Sequence, residues 1–341
     1  MSTVWFMEGL SSQGDLLQGA VCWAAGKHTI IGSHSKERPE ILQFADIQLH
    51  EPNDINERLS WMQEIITRHQ VVLVHVGRDC RWYENHRRAI EAFGVQLITG
   101  ALDVDTFELA DDKAAFAAHL TAAGLNAVPA QVVTTPDALR CALENEQLLA
   151  ISGEHGLCIK PVRGIYGAGF WRFRESSGRR FLSLPGCREI PASTYLELIG
   201  DTLNEPMLVM PYLEGPEASI DMVVRDGALV DGLIRLKRGS YQQLQLDGPH
   251  LEVGAAVAKT IRADGLINIQ TRYGHNGELV VLEANLRPSG GVGFGLGAGV
   301  NLAGALLANR LGYPKVSQHL RTNSIRVVTT AITIDQKESI A

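Results

Sequence analysis

The sequence predicts a parallel α/β domain over about residues 1–105, followed by an α+β region that runs to residue 341. Two observations lead to this prediction. Short apolar strands alternate with helical patterns through the first region, which is typical of a parallel sheet with flanking helices. Further along the chain, strand pairs joined by glycine-rich turns indicate antiparallel hairpins. A chain of 341 residues is long enough for about two domains with substantial cores.

The composition is that of an ordinary globular protein, with 45% hydrophobic residues, 20% charged residues and a net charge of −7. Because no long basic block occurs, we expect neither nucleic acid nor a membrane surface as a partner. The five cysteines form no CxxC pair, which favours reduced thiols and a cytoplasmic location. We expect no signal peptide and no membrane span, since no apolar run reaches the roughly 18 residues needed to cross a bilayer.

In the first region the apolar patterns predict strands at residues 3–7, 29–32, 71–76 and 95–99, and helices at 15–25, 58–69 and 81–93. A dinucleotide-binding fold would need three glycines at fixed spacing after the first strand, and Gly9 and Gly14 do not supply that spacing. His75, Arg78 and Asp79 end a predicted strand, where open α/β sheets bind ligands. An ordinary polar loop is the favoured explanation of these three residues.

The pattern changes near Asp111, where an Ala-rich helix containing Lys113 begins and runs to about residue 124. A strand at residues 131–133 follows, and Thr135 is suited to cap a helix that has Pro136 at its first position. A lysine at a helix start is usually solvated, so Lys113 by itself indicates little.

A glycine-rich hairpin is predicted at residues 157–173, which read LCIKPVRGIYGAGFWRF. A strand ends at Lys160, and Gly164, Gly167 and Gly169 precede the second strand. Glycines let successive backbone N–H groups approach phosphate oxygens, and the lysine adds a compact positive charge. A Walker A loop places its lysine after the glycines and leads into a helix, so that motif is not matched. A purely structural hairpin with a surface lysine is the alternative.

Residues 207–224 predict a buried strand, a turn containing Gly215 and Pro216, and a second strand. The next strand, residues 229–236, carries Arg235 and is followed by Lys237 and Arg238. This basic cluster is placed to meet a γ-phosphate or an anionic substrate, and a solvated surface run is an equal alternative. A helix over residues 250–263 completes this part of the chain.

Residues 268–291 read NIQTRYGHNGELVVLEANLRPSGG and predict a hairpin. Because side chains two apart on a strand share a face, one face carries three amides, a carboxylate and a guanidinium: Asn268, Gln270, Glu283, Asn285 and Arg287. Mg²⁺ prefers oxygen ligands and usually keeps substrate phosphates in its shell, and the arginine fork matches phosphate oxygens. The pattern predicts a site for a magnesium-bound polyphosphate; an amphipathic hairpin with a solvated polar face is the alternative.

Glycine occurs at every second position from Gly291 to Gly299, which favours a mobile backbone that a substrate can approach closely. Asn301 is suited to cap a helix that ends near residue 311. A last strand is predicted over residues 325–334.

Taken in order, these segments resemble the ATP-grasp superfamily, especially its carbamoyl-phosphate-synthetase-like members. The resemblance spans about residues 106–312 and implies an ATP-grasp fold over 106–341, with a mobile lid at about 128–208, behind a pre-ATP-grasp α/β domain at 1–105. The implied ATP contacts are Lys113, Lys160, Gly164, Gly167, Gly169, Met210, Leu213, Glu217 and Arg235. The implied ligands of Mg²⁺ (or Mn²⁺) are Gln270, Glu283 and Asn285, and the implied catalytic residues are Arg287, Lys160 and Asn285.

Many members of the superfamily have an acidic residue where this chain has Met210, so that the adenine contact here would be backbone and apolar only. The resemblance further implies a ligase that activates a carboxylate as an acyl phosphate and joins it to an amine. The implied partners are small-molecule or peptide-like carboxylate and amine substrates. An ATP-grasp phosphotransferase and a non-catalytic nucleotide-binding module are the alternatives. The sequence leaves the assembly open, with a homodimer among the options.

Overall fold

A computed structural model describes residues 2–164, 167–178 and 180–328. Its first layer is a sheet in the order β3-β2-β1-β4-β5, in which every described pairing is parallel. The strands are β1 (Thr3–Phe6), β2 (Thr29–His34), β3 (Ile47–His50), β4 (Val71–His75) and β5 (Gln96–Ile98). The helices are α1 (Gln13–Ala24), α2 (Pro39–Leu42), α3 (Arg58–His69), α4 (Cys80–Asn85) and α5 (Arg87–Glu91). The predicted parallel α/β arrangement is confirmed.

The sequence prediction missed α2 and β3 in this layer. Strand β3 lies at the sheet edge and alternates half-buried and exposed residues over only four positions, too few for a clear period. The single helix predicted over residues 81–93 is two helices, because the chain leaves helical geometry at His86, where φ is −104°.

Helices α6 (Val104–Asp111) and α7 (Lys113–Ala122) lead to the second sheet, which has the order β6-β10-β7-β8-β9. Its strands are β6 (Gln131–Val133), β7 (Leu157–Pro161), β8 (Trp171–Phe173), β9 (Glu189–Ile190) and β10 (Met207–Pro211). Its helices are α8 (Pro136–Leu143), α9 (Glu146–Ser152) and α10 (Ala192–Ile199). The predicted cap is confirmed, since the Thr135 hydroxyl accepts from the Ala138 N–H with Pro136 at the first position of α8. Helix α6 was not predicted.

The third sheet has the order β15-β14-β11-β12-β13-β16 and its described pairings are antiparallel. Its strands are β11 (Ala218–Arg225), β12 (Ala228–Arg238), β13 (Tyr241–Gln245), β14 (Gly265–Tyr273), β15 (Leu279–Asn285) and β16 (Ser324–Ile325). Its helices are α11 (Pro249–Thr260), α12 (Phe294–Ala298) and α13 (Leu302–Arg310). The Asn301 cap of α13 is confirmed by its contact with the Gly304 N–H. The strand predicted over residues 325–334 is seen at Ser324–Ile325, and its part from residue 329 lies outside the described residues.

The layers differ in how their apolar side chains pack. Phe6 and Leu73 of the first sheet pack in one cluster with Leu233 of the third sheet and Leu306 of α13. The second sheet instead has a cluster of its own, in which α8 and α10 cover its strands. The first and third sheets therefore share a hydrophobic core, to which none of the described residues within 128–208 contributes.

Candidate functional site

A cavity of about 470 Å³ lies where the second and third sheets meet. Strands β7 and β10 line one side, and β14 and β15 line the other. The start of α7 contributes further lining, as do Gly164, Gly167, Ala168 and Phe170 of the glycine-rich segment and Arg287, Ser289 and Gly290 after β15. Every one of the predicted nucleotide and metal residues lines this cavity except Gly169 and Arg235.

One wall of the cavity is an apolar slot. Val128, Cys158, Met210 and Leu213 form a buried cluster, against which Phe170 packs. Burial raises the pKa of the Cys158 thiol to about 12, although the positive charge of Lys160 opposes that rise. The thiol is therefore protonated at neutral pH and acts as part of the apolar wall. A flat apolar ring is the kind of group that such a slot accommodates.

The opposite wall is the predicted polar hairpin. Gln270 lies opposite Glu283, and Asn268 lies opposite Asn285, in the antiparallel register of β14 and β15. The Asn285 amide donates to Glu283 Oε1 at 3.2 Å, which holds the carboxylate on the cavity side. The predicted turn is confirmed: the Gly274 N–H donates to the Glu278 carbonyl, and Gly277 has a φ of +80° that favours glycine.

Two lysines reach the cavity from different elements. Lys113 is the first residue of α7, and its Nζ donates to the Gly164 carbonyl at 2.8 Å. Lys160 lies on β7, where burial lowers its pKa; the nearby Glu283 carboxylate acts to raise that pKa and the charge of Lys113 lowers it further. Two ammonium groups so close together repel each other. An anion bound between them would relieve that repulsion.

The glycines of the loop have different surroundings. Gly164 and Gly167 line the cavity and both have a positive φ. Gly169 packs against Pro161 instead, since a Cβ there would lie 2.7 Å from the Pro161 Cγ. Glycine is therefore required at position 169 because the proline ring leaves no room for a side chain. Gly169 does not line the cavity.

The turn between β10 and β11, which contains Glu217, forms ion pairs at the edge of the cavity. Glu217 forms ion pairs with Lys237 and with Arg272, and all three residues line the cavity. Arg272 also donates to the Leu213 carbonyl. Sequence reasoning did not single out Arg272, although it lies two residues beyond Gln270 on the same strand and the period of two could have indicated it.

Arg235 is placed differently from the prediction. It is 3% exposed, does not line the cavity, and lies beneath the chain that follows Arg287. Its Nε donates to Asp221 at 2.7 Å, and its NH2 donates to the hydroxyls of Ser219 and Ser289. A direct contact with ATP does not fit this position. Lys237, two residues further along β12, is the basic residue of that cluster that lines the cavity.

Asn268 belongs to the same buried network. Its amide donates to the Ser219 hydroxyl and to Asp221 Oδ1, both at 2.9 Å. Ser289 in turn accepts from the Gly291 N–H at 3.2 Å. Arg235 and Asn268 therefore tie β11, β12 and β14 to the loop that follows β15.

Arg287 is half-buried and lines the cavity next to Ser289 and Gly290. Burial raises the pKa of the Cys80 thiol to about 12, and the positive charge of Arg287 acts against that rise. The guanidinium is thus close to the start of α4. Arg287 therefore lies between the cavity and the first sheet.

The alternating glycines after Arg287 serve close packing. A Cβ at Gly293 would lie 2.1 Å from Asp15 Cγ, and one at Gly291 would lie 2.5 Å from a nitrogen of Arg235. Residues 294–298 form the short helix α12. The expected open space for a substrate is therefore absent at Gly291, Gly293, Gly295 and Gly299, because atoms of other elements fill it, whereas Gly297 is open. The expected mobility of this backbone stays a prediction.

The residues at the end of β4 divide into two groups. His75 is 2% exposed, and burial together with the charge of Arg310 lowers its pKa to about 4, so that it is a neutral core residue. Arg78 and Asp79 remain exposed. The polar-loop explanation thus fails for His75 and leaves the other two open to ligands.

Two kinds of feature are absent from the described residues. No helix in residues 2–328 that the structure describes is long and apolar enough to cross a membrane. Within the same residues no group of three or more His, Cys, Asp or Glu side chains is arranged to hold a metal ion. A metal bound at the polar hairpin would therefore depend on amide oxygens and on ligands from outside the protein.

Comparison with known proteins supports the fold. Residues 204–332 match the model of a family described as ATP-grasp in the biosynthetic pathway with Ter operon. No curated protein matches the sequence. Solved structures of similar fold share only 13–15% of their residues with this chain.

The ADP complex of an N5-carboxyaminoimidazole ribonucleotide synthetase is 13% identical, with a TM-score of 0.65 over 94% of this chain and 79% of that one. The L-amino acid ligase from Bacillus licheniformis is 14% identical, with a TM-score of 0.58 over 92% and 75%. The biotin carboxylase domain of Hydrogenobacter thermophilus 2-oxoglutarate carboxylase, a dimer in complex with MgADP, ADP and bicarbonate, is 15% identical, with a TM-score of 0.59 over 93% and 71%. The predicted ATP-grasp fold behind an α/β domain is confirmed.

Proposed function

We propose that this chain, which has the ATP-grasp fold, is an ATP-dependent ligase that activates a carboxylate as an acyl phosphate and joins it to an amine or a similar nucleophile. The observation that carries the proposal is a single cavity with two kinds of wall. An apolar slot suited to a base faces the polar hairpin with its Glu283 carboxylate, and Lys113, Lys160 and Arg287 bring positive charge to the same cavity. The similar ligases and the ADP complexes among the comparisons support this proposal.

We assign the nucleotide as follows. The adenine ring lies in the slot beside Met210 and Leu213, and the phosphates lie between Lys113 and Lys160. Backbone N–H groups near Gly164 and Gly167 close over the phosphates, as loops with glycine at positive φ can do. Glu217, already paired with Lys237 and Arg272, lies at the ribose.

The polar hairpin fits a hard divalent cation. Glu283 would supply a carboxylate oxygen, and Gln270 and Asn285 would supply amide oxygens, which are the ligand types that Mg²⁺ or Mn²⁺ accepts. All three side chains line the cavity on neighbouring strands. A bound cation there supplies neutralisation of phosphate charge.

The reaction then proceeds in two steps. A carboxylate oxygen attacks the γ-phosphorus, the P–O bond to the β-phosphate breaks, and ADP leaves. The nucleophile nitrogen attacks the acyl carbon, the C–O bond to phosphate breaks, and inorganic phosphate leaves while the nitrogen loses a proton. Arg287 stabilises the charge on the transferred group, and Lys160 holds its oxygens. Residues 128–208 close as a lid over the acyl phosphate and exclude water.

Metal binding should depend on the nucleotide. One carboxylate and two amides leave the cation shell incomplete, so we expect weak Mg²⁺ binding to the free protein and at least tenfold tighter binding with a non-hydrolysable ATP analogue present. Calorimetric titration in both conditions measures the difference. Gln270→Glu is the matched variant, because a second carboxylate should raise the affinity of the nucleotide-free protein. Tight Mg²⁺ binding to the free wild-type protein contradicts the ligand assignment.

The acyl phosphate can be intercepted chemically. With ATP, a carboxylate substrate and hydroxylamine in place of the amine, a ligase forms a hydroxamate, which mass spectrometry detects. Glu283→Gln keeps the pairing of β14 with β15 but removes the only carboxylate of the metal site, so hydroxamate should be lost while the circular dichroism spectrum is unchanged. Accumulation of a stable phosphorylated product with no hydroxamate supports the phosphotransferase alternative. A chain that binds ATP and releases no ADP with any carboxylate supports the non-catalytic alternative.

A further inference from the structure

Arg78 is an exposed arginine that a buried carboxylate holds in place. Its side chain is 48% exposed, and its NH1 lies 2.6 Å from Oε1 of Glu8, a residue that is 2% exposed. An arginine on a protein surface ordinarily keeps most of its rotamer freedom. Here the ion pair with Glu8 holds the NH1 nitrogen, so the planar guanidinium is already oriented before a ligand binds.

Glu8 itself is held from several sides. Its backbone N–H donates to Glu51, and its Oε2 accepts from the Ser35 N–H at 3.2 Å. Burial acts to raise the pKa of the Glu8 carboxyl, and the hydrogen bond from Ser35 with the charges of His34 and Arg78 outweighs it, so the pKa is lowered. Glu8 is therefore ionised at neutral pH and gives Arg78 a fixed counter-charge.

Arg78 lies at a position where ligands bind in this kind of sheet. Strands β1 and β4 are parallel neighbours, and the loops at their carboxyl ends hold Glu8 and Arg78. The loops touch: a Cβ on Gly77 would lie 2.7 Å from the Gly9 Cα. Asp79, which is also exposed, lies 3.7 Å from Arg58, and that cation offsets the negative charge of the Asp79 carboxylate next to Arg78.

The same loops adjoin the nucleotide cavity. A Cβ on Gly290 would lie 3.0 Å from the Ser11 hydroxyl, and Gly290 lines the cavity together with Arg287. A molecule whose carboxylate lies at Arg287 can therefore extend toward the carboxyl ends of β1 and β4.

We propose that Arg78 binds a second anionic group of the acceptor substrate, which therefore carries two anionic groups. One carboxylate is activated beside Arg287, and the second group, a carboxylate or a phosphate, is bound by the oriented guanidinium of Arg78. This assignment rests on the proposed ligase function, which it extends by naming the class of acceptor. It also gives the first sheet a role in specificity.

The experiment measures paired ligands by calorimetry with Mg²⁺ and a non-hydrolysable ATP analogue present. Malonate, succinate and glutarate are each compared with the monomethyl ester, and 3-phosphonopropionate is compared with propionate. We expect at least one dianion to bind tenfold or more tightly than its monoanion. The pair that shows the difference identifies the second group as carboxylate or phosphate-like.

Arg78→Ala should abolish that difference, and Arg78→Lys should keep only part of it. The matched control is Arg81→Ala, because Arg81 is 51% exposed and pairs with Glu108 on α6 instead. Equal binding within every pair, or a difference that persists in Arg78→Ala, overturns the proposal. If the ATP analogue does not bind the wild-type protein, the ligase function fails by itself, and the same ligand pairs without nucleotide still decide whether Arg78 binds anions.

Discussion

Replacing Lys160 by alanine should reduce the rate of ADP formation by at least a hundredfold and weaken binding of an ATP analogue at least tenfold. Lys160 lines the cavity between Lys113 and Glu283, and no other described lysine lies on that strand. Electrostatic contacts that form with the transferred phosphoryl group commonly contribute a hundredfold or more to the rate. Fluorescence titration with a labelled ATP analogue and a coupled ADP assay measure the two effects. Lys259→Ala, on the exposed face of α11, is the control and should change neither.

The pH dependence separates a phosphate contact from a structural role. Burial lowers the pKa of Lys160 in the free protein, and bound phosphates favour the ammonium, so the pKa in the complex is higher. Affinity for the ATP analogue should therefore fall as the pH rises from the Lys160 pKa of the free protein to the higher Lys160 pKa of the complex. Lys160→Arg keeps its charge throughout that range, so its affinity should be weak but should decline less with pH. Near-normal ADP release by Lys160→Ala shows instead that the glycine hairpin is structural.

Replacing Arg235 by methionine should cause the largest loss of stability among single changes at the site. Arg235 is 3% exposed and pairs with Asp221, which is fully buried. Removing the guanidinium leaves that carboxylate without its ion pair, and breaking a buried pair in this way costs about 3–5 kcal/mol. The urea midpoint, followed by circular dichroism, should fall markedly.

Two further variants test the reason for that loss. Arg262→Met removes an ion pair with Asp226 in which both partners are more than half exposed, and it should cost less than about 1 kcal/mol. The double change of Arg235→Met with Asp221→Leu removes both charges and should recover much of the loss. A urea midpoint for Arg235→Met equal to that of Arg262→Met contradicts the role given to the buried pair.

Local patterns were sufficient for the polar hairpin and for the caps. The side chains of a strand alternate with a period of two, so the sequence alone places Glu283 and Asn285 on one face of their strand. In the structure Glu283 pairs with Gln270 of the neighbouring strand. The caps of α8 and α13 were predictable for a similar reason, because the donor and the acceptor are three residues apart. The ligand roles of these residues stay predictions.

The sequence by itself determined the glycine-rich hairpin around Lys160 and the polar face of β14 and β15, because each depends on contacts or periodicities within a few residues. Only the tertiary structure decided which basic residue of β12 reaches the cavity. Arg235 and Lys237 share one face of that strand by periodicity, yet the chain at Ser289 and Gly291 covers the first and leaves the second 47% exposed. It likewise brought Glu8 to Arg78, seventy residues away, because parallel neighbours end at one edge of a sheet and no local pattern records which strands are neighbours.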